Sequence, residues 1–166
     1  MSGVTVRSLV LLGATLTMGL AAGAFALYAH TIMPGLRATD DRTFVGAFQA
    51  IDRAIINPWF MTTAFVGPLM LAIAATVVNL RHPPIAWVAA ALVLYVLAVV
   101  ITVAVNVPLN DAIKAAGDPD RIADLGRVRA QFHETRWAAW NVVRVLASTA
   151  AFGCLAWALV VHGRAT

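Results

Sequence analysis

The chain has 166 residues, of which 61% are hydrophobic and only 12% are charged, and its mean hydropathy is +0.81. Charged residues make up about 25% of a typical soluble domain, so this composition excludes a soluble globular protein and indicates an integral membrane protein. The formal net charge is +4, but the basic residues are spread over short connecting segments without an aromatic-interleaved basic face, which argues against nucleic-acid binding.

Four apolar segments are long enough to cross the roughly 30 Å hydrocarbon core of a bilayer as helices. They cover approximately residues 4–33, 58–80, 85–106 and 137–161. Pro34-Gly35 follows the first segment, Gly67-Pro68 should kink the second, and Pro108 should break the third, because proline lacks the backbone N–H that a helix needs. The predicted fold is all-α: an integral membrane four-helix bundle that forms one domain over residues 1–166.

Two short amphipathic helices are predicted between the spans. In the first, Phe44, Phe48, Ile51 and Ile55 recur at helical spacing, so one face is apolar and the helix lies on the membrane interface or against the bundle. Asp52-Arg53 sits beside that stripe. An exposed ion pair is the default expectation for these two residues, and the alternative is that they point toward polar groups inside the membrane.

The second amphipathic helix should start at Asp118-Pro119, an N-cap followed by proline at the first helical position. Ile122, Leu125, Val128 and Phe132 then line one side. This helix is expected to run directly into the fourth span.

A polar stripe follows one face of that fourth span. Its members fall at spacings of 4, 7, 8, 11 and 15 residues: His133, Trp137, Trp140, Asn141, Arg144 and Ser148. Arg144 lies about 10 Å along the axis beyond Trp137, at roughly 1.5 Å per residue, and so inside the hydrocarbon. An unpaired guanidinium there costs at least ~2.5 kcal/mol. Arg144 is therefore predicted to be buried and to contact polar groups of the third span or of residues 43–57.

Topology gathers the polar residues on one side of the membrane, which we call the polar side. The end of the first span, the start of the second, the end of the third and the start of the fourth all lie there, and with them His30, Asn57, Asn106 and Asn110. Eight Lys and Arg residues outside the spans lie on this side, against three on the other. The positive-inside rule predicts that the polar side is cytoplasmic, in a bacterial-type inner membrane.

Two short motifs resemble a known family. Asn106-x-Pro108-x-Asn110 and Trp137-x-x-x-Asn141-x-x-Arg144 are similar to those of the bacterial and fungal family of small membrane proteins called anthrone oxygenase-like. The resemblance implies a four-span fold and a monooxygenase that uses dioxygen, without a metal or organic cofactor, to oxidise an anthrone-like or hydroquinone-like planar aromatic.

That chemistry needs a base, an oxyanion partner and a dry aromatic pocket. Under this hypothesis His133 or His30 is the base, and Arg144 with Asn141 holds the oxyanion. The remaining candidates bind the substrate by hydrogen bonding or stacking: Asn106, Asn110, Trp137 and Trp140.

Other interpretations stay open at this point. Arg144 and the two asparagines of the third span could serve only to satisfy helix ends, and the tryptophans could be interface anchors. His30 and His133 could instead be axial ligands of a haem. A non-catalytic bundle that binds or transports a lipophile, acts as a partner subunit, or forms a homo-oligomer is the remaining class. The sequence shows no ligand cluster of the type that holds iron, copper or zinc.

Overall fold

The structure, a computed structural model, describes residues 3–165, and this part of the chain contains helices and connections but no strand. Four of its helical stretches are long and apolar enough to cross a membrane: Thr5–Arg37, Pro58–Asn79, Ile85–Ala115 and Leu125–Arg164. The all-α fold of an integral membrane protein is thereby confirmed.

The first three spans each contain one π-helical segment just before a proline. The α-helical parts are Gly3–Leu27 and Met33–Arg37, Pro58–Phe60 and Val66–Asn79, and Ile85–Ile101 and Val107–Ala115. The π segments that join them are Tyr28–Ile32, Met61–Phe65 and Thr102–Asn106, which precede Pro34, Pro68 and Pro108. A π turn widens the helix locally and accommodates the proline that lacks a backbone donor.

These widened turns change two expectations drawn from the sequence. The first span does not end at Pro34 but continues to Arg37, and the third does not break at Pro108 but continues to Ala115. Both extensions carry helix beyond the predicted membrane boundary on the polar side. In the second span the distortion falls at Phe65, with φ −133° and ψ −70°. A Cβ at Gly67 would lie 1.7 Å from the carbonyl oxygen of Thr62, so only glycine fits this turn.

The four spans form a closed ring in which each packs against the next. The fourth span contacts the third and the first, and the second span closes the ring between the first and the third. Small side chains fill the centre, which allows the helices to approach closely, as is typical of membrane bundles. The fully buried alanines are Ala14, Ala21, Ala72, Ala75, Ala91, Ala98, Ala151 and Ala158.

The helix Asp41–Ile55, which we call the interfacial helix, confirms the first predicted amphipathic element. Its N-cap is Asp40, whose Oδ1 accepts a hydrogen bond of 2.9 Å from the backbone N–H of Thr43. That bond, with a second from the Thr43 hydroxyl, lowers the pKa of Asp40. Phe44 and Phe48 are buried and pack against Phe132, with ring centroids 5.7 and 4.5 Å away.

The prediction for the course of the second amphipathic helix is wrong. Asp118 does cap a proline turn, but this is a single 3₁₀ turn, Pro119–Arg121, and the following helix, Leu125–Gln131, has its own cap at Asp124. The chain then turns at Phe132, and His133 adopts left-handed backbone angles (φ 50°, ψ 56°) before the fourth span begins as Glu134–Arg164. The stretch Leu125–Arg164 is therefore interrupted at Phe132 and His133, and the short helix does not run continuously into the fourth span.

An ion-pair network fastens these elements to the polar side of the bundle. Arg129 contacts Asp41 of the interfacial helix at 3.0 Å and Glu134 of the fourth span at 3.6 Å. Arg37 at the end of the first span contacts the same Glu134 at 2.6 Å. The guanidinium of Arg129 also lies 4.3 Å from the ring centroid of Phe44. The interfacial helix is therefore held across the polar end of the bundle rather than left free on the membrane surface.

The arrangement predicts which connections share a side of the membrane. In a Cys154→Ala background, cysteines introduced at the exposed positions Ala38 and Ala115 should react with an impermeant maleimide from the same side. A cysteine at Arg81, in the connection after the second span, should react only from the opposite side. Labelling of positions 38 and 115 from opposite sides would contradict the four-span topology.

Candidate functional site

A cavity of about 230 Å³ lies between the interfacial helix and the polar ends of all four spans. Six aromatic side chains form part of its wall: Phe25, Tyr28, Phe48, Phe60, Phe65 and Trp137. Six polar residues also line it: Asp52, Thr102, Asn110, Asp111, Lys114 and Arg144. An apolar pocket with a few convergent polar groups is typical of a small-molecule site.

Arg144 supplies the buried cation of this cavity. The residue is 5% exposed, and its Nη1 donates to the hydroxyl of Thr102 at 3.1 Å. Its Nη2 donates to Oδ1 of Asn141 at 2.7 Å. The guanidinium carbon lies 4.6 Å from the ring centroid of Phe25 and 5.4 Å from that of Trp137. The prediction that Arg144 is buried and contacts the third span is confirmed.

The contacts of Arg144 leave its charge without a counter-ion in the described part of the chain. Both hydrogen-bond partners are neutral, and none of the salt bridges within residues 3–165 includes Arg144. Its Nε is buried and has no hydrogen-bond partner there. A buried charge is costly unless it is paired. Because Arg144 lines the cavity, the cavity presents a positive charge without a counter-ion, which suits an anionic ligand atom.

The asparagines of the two sequence motifs have distinct placements. Asn141 bridges helices, because its Nδ2 donates to the carbonyl of Phe25 at 3.1 Å while its Oδ1 accepts from Arg144. Asn106 is buried beside the fourth span and donates to the carbonyl of Trp137 at 3.2 Å. Neither lines the cavity, so both position other groups. Asn110 does line it.

Asn110 joins Trp137 to a carboxylate that sequence reasoning missed as a site residue. Nε1 of Trp137 donates to Oδ1 of Asn110 at 2.7 Å, and Nδ2 of Asn110 donates to Oδ1 of Asp52 at 2.6 Å. Nζ of Lys114 lies 2.7 Å from the other carboxylate oxygen of Asp52 and 3.1 Å from Asp111. This row of polar groups fixes one edge of the cavity.

The placement of Asp52 corrects the default expectation that Asp52 and Arg53 form a solvated pair. Asp52 is only 7% exposed and turns toward the bundle, whereas Arg53 donates to the side chain of Gln49 at 3.0 Å. The available signal was the position of Asp52 four residues after Phe48, on the same helix face.

Besides Asn106 and Asn141, three further predicted site residues lie outside the cavity. His30 is exposed and bonds to the neighbouring Thr31, and Tyr28 faces the cavity from that turn instead. His133 is exposed. Its own left-handed backbone conformation interrupts the helix, so the polar stripe of the fourth span does not include it. Trp140 is 40% exposed and lines a separate surface depression together with His133. The structure thus brings neither candidate base to Arg144.

The fold and the cavity define a class: a four-span membrane protein with an aromatic-walled internal site around one buried cation. A family model described as Anthrone oxygenase matches residues 57–154, more than half of the chain. The chain therefore belongs to the anthrone oxygenase family. No curated protein and no solved structure matches it. The matched segment contains Thr102, Asn110, Trp137 and Arg144, whereas the first span and the interfacial helix with Asp52 precede it.

The left-handed conformation of His133 predicts an unusual response to glycine. His133→Gly should leave the free energy of unfolding unchanged or raise it by up to ~1 kcal/mol, because glycine adopts φ > 0 without the ~1–2 kcal/mol penalty of other residues. His133→Val should lower it, because valine pays the same penalty and its branched Cβ makes a positive φ less favourable than histidine does. Unfolding in mixed detergent would measure both. Ala139→Gly is the control at an exposed position inside the helix and should cost roughly 0.5–1 kcal/mol. A His133→Gly variant less stable than Ala139→Gly would contradict the account.

Proposed function

We propose that this protein is a membrane-embedded, cofactor-independent oxygenase that acts on a planar aromatic of the anthrone or hydroquinone type. The observation that carries the proposal is Arg144, a buried guanidinium that lines an aromatic-walled cavity and whose hydrogen-bond partners are both neutral. Membership of the anthrone oxygenase family supports the same reaction class.

The chemistry explains why such a cation is useful. Loss of a proton from the acidic CH₂ of an anthrone leaves an electron pair that the ring system delocalises onto its carbonyl oxygen. A fixed guanidinium next to that oxygen stabilises the anion, and the stabilisation is larger in a water-poor site. The electron-rich anion can then pass one electron to dioxygen without help from a metal.

The remaining steps balance without a further reductant. The ring radical and superoxide combine at the former CH₂ carbon to give a peroxide. Cleavage of its O–O bond with loss of the second C–H proton leaves a carbonyl. In total, one ring CH₂ and one O₂ become one C=O and one H₂O. The carbon is oxidised and dioxygen is reduced, so the substrate itself supplies all the electrons.

The walls of the cavity fit a small flat molecule. Phe25 and Trp137 bracket the guanidinium of Arg144, and aromatic rings prefer stacked or edge-to-face contacts with other aromatic rings. The volume of about 230 Å³ is below the roughly 300–1,000 Å³ of pockets for drug-sized ligands. A compact substrate of a few fused rings is therefore favoured over a long lipid.

A non-catalytic bundle that binds a lipophile is the second candidate, favoured by the predominantly apolar cavity wall. Dioxygen consumption separates the two, because a binder or transporter consumes none. The haem alternative gains no support from the geometry, since His30 and His133 both lie outside the cavity. Within residues 3–165 no three His, Cys, Asp or Glu side chains form a group that could hold a metal ion.

We also propose that the polar side faces the cytoplasm from a bacterial-type inner membrane. The support is the excess of Lys and Arg in the connections on that side, including Arg42, Arg121 and Arg127. Cysteines at positions 38 and 115 should then be protected from an impermeant maleimide in intact spheroplasts and labelled after lysis. Labelling in intact spheroplasts would reverse the orientation.

The role of Arg144 predicts the effect of a charge-preserving substitution. Arg144→Lys should lower kcat for oxygen uptake by about 10²–10³-fold, the usual loss when an oxyanion donor is removed, because lysine lacks the planar fork of donors. Oxygen consumption by the detergent-solubilised protein across a panel of anthrones and hydroquinones measures this.

Three control variants should keep wild-type uptake: Arg127→Lys, the same chemical change at an exposed position, together with His30→Ala and His133→Gly. Gel filtration of each variant separates loss of chemistry from loss of folding. The oxygenase proposal fails if, for every substrate in the panel, wild-type protein consumes oxygen no faster than the folded Arg144→Lys variant. The binding protein is then favoured. A Soret band in the purified protein would favour haem instead.

A further inference from the structure

We infer that Asp52 is the group that accepts the substrate proton, and that the cavity selects aromatics whose acidic hydrogen lies across the ring from an oxygen atom. The inference rests on the proposed oxygenase function and assigns its base. It places the proton acceptor on the interfacial helix, outside the segment that the family model matches.

Few groups at the cavity can accept a proton. No histidine among the described residues lines it, and its lining carboxylates are Asp52 and Asp111. The side chain of Asp111 is 62% exposed, whereas that of Asp52 is 10% exposed. Lys114 and Arg144 are cations, and a tyrosine such as Tyr28 is ordinarily protonated at neutral pH. Asp52 is thus the buried carboxylate that a substrate in the cavity would meet.

The contacts of Asp52 hold it in a defined position without making it the counter-ion of Arg144. Asn110 donates to Oδ1 at 2.6 Å, and Asn110 is itself fixed by Nε1 of Trp137 at 2.7 Å. Lys114 lies 2.7 Å from Oδ2. The negative charge is therefore balanced locally by Lys114, and Arg144 keeps its charge for a ligand. Trp137 also forms part of the cavity wall. The ring that would stack on the substrate therefore also orients the carboxylate of Asp52, through Asn110.

Arg144 and Asp52 are held at two different positions along the third span, so a substrate that contacts both has a defined orientation in the cavity. Arg144 is anchored at Thr102 and Asp52 at Asn110, eight residues further on. At roughly 1.5 Å per residue this separates the anchor points by about 12 Å along the helix axis. A flat molecule between them places its oxygen at Arg144 and the opposite ring position at Asp52. In an anthrone the CH₂ lies across the central ring from the carbonyl, and in a hydroquinone the two hydroxyls are related in the same way.

The proton transfer balances with the reaction described above. The C–H bond breaks, its electron pair moves into the ring and onto the oxygen near Arg144, and the proton is held on a carboxylate oxygen of Asp52. After dioxygen has added to the carbon, Asp52 returns this proton to the departing oxygen. Both hydrogens of the original CH₂ then leave in the water molecule, and Asp52 is ionised again for the next turnover.

Hydrogen exchange without oxygen isolates this step from the rest of the reaction. Under argon in D₂O, wild-type protein should catalyse exchange of the anthrone CH₂ hydrogens with solvent, followed by mass spectrometry. Asp52→Asn should lower the catalysed exchange rate by about 10²-fold or more, the usual share of a general base. Binding, measured by quenching of tryptophan fluorescence, should change by less than a few-fold, because asparagine preserves the shape and the acceptor for Asn110.

Matched variants define the outcome. Asp118→Asn makes the same chemical change at an exposed N-cap, where asparagine is an equally good cap, and should exchange at the wild-type rate. Asp52→Glu keeps a carboxylate and should restore part of the exchange, which shows that the loss in Asp52→Asn is chemical and not a folding defect. Asn110→Ala removes the bond that orients Asp52 and should reduce exchange with binding retained.

Two results would overturn the inference in distinguishable ways. A folded Asp52→Asn variant that binds the substrate and exchanges its hydrogens at the wild-type rate would show that Asp52 is not the base. If this variant also consumed oxygen, the proposed function would stand. Wild-type protein that binds the substrate but neither exchanges its hydrogens nor consumes oxygen would remove the proposed function and the inference together.

Discussion

The structure depends on one costly group, the guanidinium of Arg144 inside the bundle. A cation at such depth costs several kcal/mol unless the protein compensates it. Here the compensation is incomplete, because a hydroxyl, an amide oxygen and two aromatic faces surround the charge and no carboxylate joins them in the described part of the chain. Asp52, which lines the same cavity, is paired with Lys114 and Asn110. A protein that retains an uncompensated cation beside a cavity is suited to a ligand that brings the negative charge.

Distorted helices shape the cavity around that group. Thr102, which accepts from Arg144, is the first residue of the π segment Thr102–Asn106, and Tyr28 is the first residue of the π segment Tyr28–Ile32. Phe65, which also lines the cavity, ends the third such segment. Single π turns inside α-helices are frequent at functional sites, since they shift the register of side chains on one face. Pro34 and Pro108 lie on the polar side of their π segments, whereas Pro68 lies near the middle of the second span, and all three π segments contribute residues to the site.

Much of this could be read from the sequence because two strong physical constraints act on it. Hydrocarbon thickness fixes span length, and the cost of a buried charge identifies Arg144 and, through helical spacing, Trp137 and Asn141 on the same face. Weak signals failed elsewhere. His133 fits the helical spacing, but a single left-handed residue detaches it from the stripe, and Trp140 lies at the edge of the face. In the sequence, Asp52 resembles a surface residue, because the pattern of an amphipathic helix does not indicate which element packs against the edge of its polar face. The π segments leave no mark in the sequence beyond the prolines, which predict a kink in the second span and an end or a break in the first and third, and not a local widening of the helix.

Direct measurement of the charge in the cavity tests the central claim. A monohydroxyanthraquinone changes its visible spectrum when its phenol ionises, so a pH titration of the bound dye reports the field at the site. An apolar cavity alone raises the pKa of a bound phenol, whereas an adjacent buried cation lowers it. We predict a pKa at least one unit lower in wild-type protein than in detergent micelles, equivalent to about 1.4 kcal/mol, and loss of that decrease in Arg144→Met. A bound-dye pKa that is unchanged or raised in wild-type protein would contradict the account.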